Sequence, residues 1–145
     1  MKIQFNDKPP HTYFTVARSL MPSIRILAND MPNSAIGLTM LGAHALECLL
    51  KAYLTRNDGT VDEQITKDLK DLEVRHNLNA LWERASDDGL TVPRTPPDWV
   101  DHLSRLHKDP YPLRYFTGVQ SLYTPPPEPM VTELSGLVET VKAAL

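Results

Sequence analysis

The sequence predicts an all-α protein, an antiparallel up-and-down bundle of five to six helices in one domain over residues 1–145. Three observations predict it. The thirteen prolines fall in tight groups at 9–10, 22, 32, 93–97, 110–112 and 125–129, leaving long intervals free of helix-breaking residues. Within those intervals apolar residues recur three and four apart, the spacing of a helix face. No stretch alternates apolar with polar residues as a half-buried strand requires.

The elements follow in order. Phe14, Ala17, Met21, Ile24 and Ala28, widened by Leu20 and Leu27, define a first helix over about Thr12 to Asn29. Pro22 removes the hydrogen bond to the Arg18 carbonyl, so a kink or break is expected there. A second helix is expected from Asn33, following Pro32, to Arg56, where Asn57, Asp58 and Gly59 stop it. Leu38, Leu41, Ala45, Leu49 and Ala52 share one of its faces, while Ile36, Leu46, Leu50, Tyr53 and Leu54 cover most of the rest. A helix apolar nearly all round belongs at the centre of a fold. Thr60 to Glu63 has the capping-box pattern and opens a helix burying Ile65, Leu69 and Leu72. The stripe then changes phase to Leu78, Leu81, Trp82 and Ala85, which puts a break at 73–76 and His76 at the start of the next helix, ended by Asp87, Asp88 and Gly89. Residues 90–97 read as a loop. Asp98 to His107 reads as a short helix with Trp99, Leu103 and Leu106 inward, and 108–116 as an extended, aromatic-rich loop. A last helix starts near the 125–129 prolines and buries Val131, Leu134, Val138 and Val141.

Composition narrows the function classes. A formal net charge of −3, from 15 Lys and Arg against 18 Asp and Glu, lacks the strongly basic signature of a dedicated nucleic-acid binder. The single cysteine, Cys48, excludes an internal disulfide and a cysteine cage for zinc, and its apolar surroundings make it a small buried hydrophobe. The N-terminus is polar where a signal peptide is apolar, and no segment reads as long and apolar enough to span a bilayer, so a cytoplasmic protein without a membrane partner is expected. No glycine-rich phosphate loop, nucleophile elbow, paired-histidine zinc helix or calcium loop occurs. His102 and His107 are five apart and do not face together on one helix, so neither a metal nor a cofactor is expected.

The informative feature is on the second helix. His44, Glu47 and Lys51, separated by three, four and seven residues, fall in a strip about 60° wide on an otherwise apolar element. Glu47 and Lys51 suit an i,i+4 ion pair, and the bland reading of the strip is a buried polar network.

The stretch Ala43 to Leu54, followed by Arg75-His-Asn-Leu-Asn-Ala-Leu-Trp82, resembles the HEPN superfamily. Members are up-and-down helical bundles that carry an Ala-x-Glu-x-x-x-Lys-like central helix and a Gly-His-Asp-Leu-like start to the next core helix. Glu47 and Lys51 correspond to the first pattern and His76 and Leu78 to the second. The segment Tyr111 to Tyr115 resembles the tyrosine-proline loop of some members. The resemblance implies a ligand pocket lined by His44, Glu47, Lys51, His76, Tyr111, Arg114 and Tyr115, with Lys51 and Arg114 holding a phosphate and a tyrosine stacking on a base. Ribonuclease members resemble one another in an arginine and a histidine with four to six residues between them, a spacing absent from this sequence; Arg94 and His102 come nearest, with seven residues between them.

The expectation is therefore a non-catalytic module that binds a nucleotide, RNA or a protein partner. The resemblance further implies a homodimer and a nucleotidyltransferase-like companion, as in toxin–antitoxin systems. The alternatives are a divergent metal-independent ribonuclease toxin using His44 or His76 with Arg75 or Arg114, and a structural dimerisation domain.

Overall fold

A computed structural model describes residues 1–2, 8–57, 67, 69–71, 74, 76–115 and 121–145. Among the described residues five helices have defined bounds, α1 Pro9–Asn29, α2 Ala35–Leu54, α3 Leu78–Asp87, α4 Asp98–His107 and α5 Pro127–Ala144, and residues 67, 69 and 70 are helical as well. No strand occurs among the described residues. The fold is all-α.

The centre of the fold is α2, which packs against each of the other four helices. Around it the neighbours α1, α5, α4 and α3 also pack in sequence, each on the next. This placement follows from the apolar surface of α2: Leu38, Ala45, Leu46, Leu49, Leu50 and Ala52 are all buried. Each such leucine contributes about 1.5–3 kcal/mol by leaving water. Gly42 lets α5 approach closely, since a Cβ there would lie 3.0 Å from the Met130 sulfur. Length and composition alone would let α2 cross a membrane, contrary to the expectation from sequence, yet 67% of that window is buried inside the bundle.

The punctuation residues act much as their chemistry dictates. Two prolines at the first helical turn start α1 at Pro9, three residues earlier than expected, because they lack only N–H groups that a helix start leaves unbonded anyway. Pro22 does not break α1. It lies on the exposed side together with Arg18, so the carbonyl it deprives faces water, while Met21 and Ile24 anchor the inner face. The expected start of α2 at Asn33 moves to Ala35, after a turn in which Ser34 Oγ donates to Asp30 Oδ2 at 2.5 Å. Gly89, with φ +99°, ends the turn after α3 in a conformation that glycine adopts without strain. The helix expected to begin at Thr60 lies largely outside the described residues, as does Arg75; Leu69 and Val74 pack, partly buried, against the core.

One segment differs in kind from its expectation. Residues 108–115 are coiled into a turn rather than extended: Tyr111 N–H bonds the Lys108 carbonyl, and Arg114 and Tyr115 N–H groups both bond the Tyr111 carbonyl. Tyr111 has φ +57°, a left-handed conformation uncommon for a residue with a side chain. The turn carries the Tyr111 ring back toward the bundle.

Candidate functional site

The polar strip of α2 meets its partners at the junction of α2, α3 and α4. Glu47 is buried, and all its hydrogen bonds are to nitrogen. Its Oε1 accepts from Lys51 Nζ at 2.5 Å, one helical turn along. Its Oε2 lies 2.5 Å from His107 Nε2 and 3.2 Å from His76 Nδ1. Three side chains from three separate parts of the chain thus share one carboxylate.

Local structure explains how the two histidines arrive. His76 is the residue before Asn77, whose side-chain oxygen caps α3 by accepting from Ala80 N at 3.2 Å. The same oxygen accepts from Ser104 Oγ on α4 at 3.2 Å, and Ser104 Oγ accepts in turn from Asn79 N. His107 closes α4 one turn beyond Leu103, on the inward stripe, and is 7% exposed. The two imidazoles meet edge to face with centroids 5.8 Å apart, and the Tyr111 ring lies edge-on to His76 at 5.9 Å.

The electrostatics favour a charged Glu47. Burial opposes its ionised form, but the hydrogen bonds from His107 and Lys51, reinforced by the charge of Lys51, outweigh that cost and hold its pKa at about 2. Burial also pushes the Cys48 thiol up to about 12, helped by Glu47, so this cysteine is a packing residue and not a nucleophile. His44 lies one turn away, its Nε2 4.0 Å from Cys48 Sγ. Partial desolvation lowers its pKa against the pull of Glu47, and the positive charges of Arg114 and Lys51 lower it further. These influences favour the neutral form of His44.

Beside this network opens a cavity of about 290 Å³, lined by Met40, Leu41, His44, Leu106, His107, Tyr111, Leu113 and Arg114. His107 belongs to both, being bonded to Glu47 on one side and facing the cavity on the other. Arg114 is exposed, and its guanidinium sits 5.4 Å from the Tyr111 ring centroid, within cation–π range.

The residues singled out in the sequence therefore divide into two groups. Glu47, Lys51 and His76 converge in the buried network; His44, Tyr111 and Arg114 line the cavity. Lys51 is bonded to Glu47 and is not part of the cavity lining, so of the two expected cations it is Arg114 that lines the cavity. Tyr115 is 65% exposed and does not line the cavity. His107 is not among the sequence-predicted residues; the signal for it is its place one turn beyond Leu103 on the inward stripe of α4. His102 stays apart, its Nδ1 buried without a hydrogen-bond partner among the described residues.

No family model, curated protein or solved structure matches this chain.

Proposed function

We propose that the protein is a non-catalytic, HEPN-like module of up-and-down topology that binds a phosphorylated nucleotide or an RNA phosphate in the cavity beside the Glu47 network. The observation that carries this reading is the joint placement of Arg114, His44 and His107 on one cavity of about 290 Å³ that also presents the Tyr111 ring. Arg114 offers a fork of donors matched to phosphate oxygens, and the ring offers a face or edge to a base. The convergence of Glu47, Lys51 and His76, the residues on which the resemblance rests, supports the same reading. A homodimer and a nucleotidyltransferase-like companion belong to this proposal as implications of the resemblance.

The test is titration of nucleoside mono-, di- and triphosphates and of a short RNA into the purified protein by calorimetry. Arg114→Ala, at an exposed position, should leave stability unchanged and weaken binding roughly 10–100-fold, the cost of one charge-assisted bond. No binding of any of these ligands to folded wild type would reject the reading.

One observation favours the ribonuclease alternative: His107 is oriented by Glu47 as a proton-transfer group and shares its cavity with a cation. The same RNA, assayed for cleavage, decides between them. Binding without cleavage supports the module. Cleavage that Arg114→Ala abolishes replaces it with the enzyme.

A further inference from the structure

We infer that Glu47, His76 and His107 form a two-histidine, one-carboxylate site for a divalent transition metal of the zinc class. One ligand-type atom from each of the three lies within 4.8 Å of the other two. They come from α2, from the residue before the α3 cap and from the end of α4, so their convergence is a product of the tertiary fold and not of one helix's periodicity.

The distances lie close to those a metal requires. Zinc bound at about 2.0–2.1 Å to each donor, in tetrahedral geometry, sets neighbouring donor atoms about 3.3 Å apart. Glu47 Oε2 and His76 Nδ1 are already 3.2 Å apart. Glu47 Oε2 and His107 Nε2, at 2.5 Å, need to open by less than about 1 Å, within reach of side-chain rotation. On binding, the metal takes the place of whatever proton lies between each imidazole nitrogen and the carboxylate, and any such proton passes to solvent.

The surroundings select the metal. Lys51 donates to the other carboxylate oxygen and fixes its orientation, the supporting contact that carboxylate ligands commonly have. Its positive charge also disfavours a nearby dication, so only a metal with strong affinity for imidazole gains enough to bind. That excludes calcium and magnesium, which need oxygen ligands and little else, and favours zinc, cobalt, nickel or copper. Cys48 is adjacent in sequence to Glu47 but is not a member of the cluster. Three protein ligands leave a fourth position open, as in catalytic rather than structural zinc sites. His107 also lines the cavity, so the metal would sit at its edge.

The test uses the full chain, stripped with chelator and titrated with cobalt(II) alone and zinc(II) alone. Wild type should take up one equivalent of cobalt with a visible d–d band, displaced by one equivalent of zinc. His76→Ala, at a partly exposed residue, should lose at least about 100-fold in affinity, since even outer-shell changes cost about 10–100-fold. His102→Ala should bind as wild type does. X-ray absorption of the wild-type zinc adduct counts imidazole ligands without any variant, and two are expected. Absence of uptake by the folded wild type overturns the inference, as does uptake indifferent to His76→Ala or a count below two imidazoles. Failure here leaves nucleotide binding by the metal-free protein to be judged on its own titration.

Discussion

Two ionic clusters hang on α2, and they are built oppositely. Near its end Arg56 donates to Asp88 Oδ2 at 2.5 Å, to the Asp88 carbonyl at 3.0 Å and to the Tyr53 carbonyl at 2.9 Å, with its guanidinium 3.8 Å from the Tyr53 ring centroid. One cation meets one carboxylate, and the Tyr53 and Asp88 carbonyl oxygens accept two further bonds from it. Two turns earlier, Glu47 is a single carboxylate surrounded by nitrogen from Lys51, His76 and His107. Side chains there are about 10% exposed or less except for His76 at 22%, against 16% and 31% at the latch. The latch sets one cation among oxygens. The Glu47 cluster sets three nitrogen-bearing side chains on one carboxylate, and one of them, His107, faces a cavity.

The largest expected effect comes from removing Glu47. Glu47→Ala leaves Lys51 buried without a countercharge and should cost about 3–5 kcal/mol in chemical denaturation. A loss under about 1 kcal/mol would put the two clusters on the same footing and erase the contrast.

Acid should separate them next. The folded pKa of Glu47, about 2, lies below its ordinary value of 4.5, so its contribution to stability is complete above that ordinary value and disappears as pH falls through the folded one. The shift corresponds to roughly 3 kcal/mol. Denaturation midpoints measured down this range should fall more steeply in wild type and in Arg56→Ala than in Glu47→Gln, which cannot titrate. Parallel profiles for all three proteins would contradict the electrostatic account of the network.

The smallest effect belongs to the latch. Arg56→Ala should cost about 1 kcal/mol, because solvent screens a pair that is partly exposed. It should also leave ligand titrations at the cavity unchanged. A change in those titrations would show that the latch and the site are coupled through α2.

Much of this arrangement was legible in the chain, and the parts that were not share a cause. The bounds of α4 and the terminus of α3 follow from proline and glycine, whose effects are local. The strip on α2 follows from spacings within one helix, and the place of His76 at the start of α3 from the phase change before Leu78. His107 lies 60 residues from Glu47, and nothing local announces that pairing; the available signal was its position four beyond Leu103, which turns it inward. Pro22 was legible as a lost hydrogen bond but not as an exposed one, since which side of α1 faces water is decided by α2. The left-handed Tyr111 is likewise a product of its setting, because proline content signals a turn there without giving its hand.

The Asn77 side chain has a mechanical consequence. Its oxygen joins the start of α3 to Ser104 of α4, one residue from His76 and three from His107. The bond therefore pins α3 to α4 within one residue of the first ring and three of the second, where sliding of one helix along the other would otherwise pull the two imidazoles apart. The spacing of two histidines from distant parts of the chain thus rests on a tie that touches neither ring.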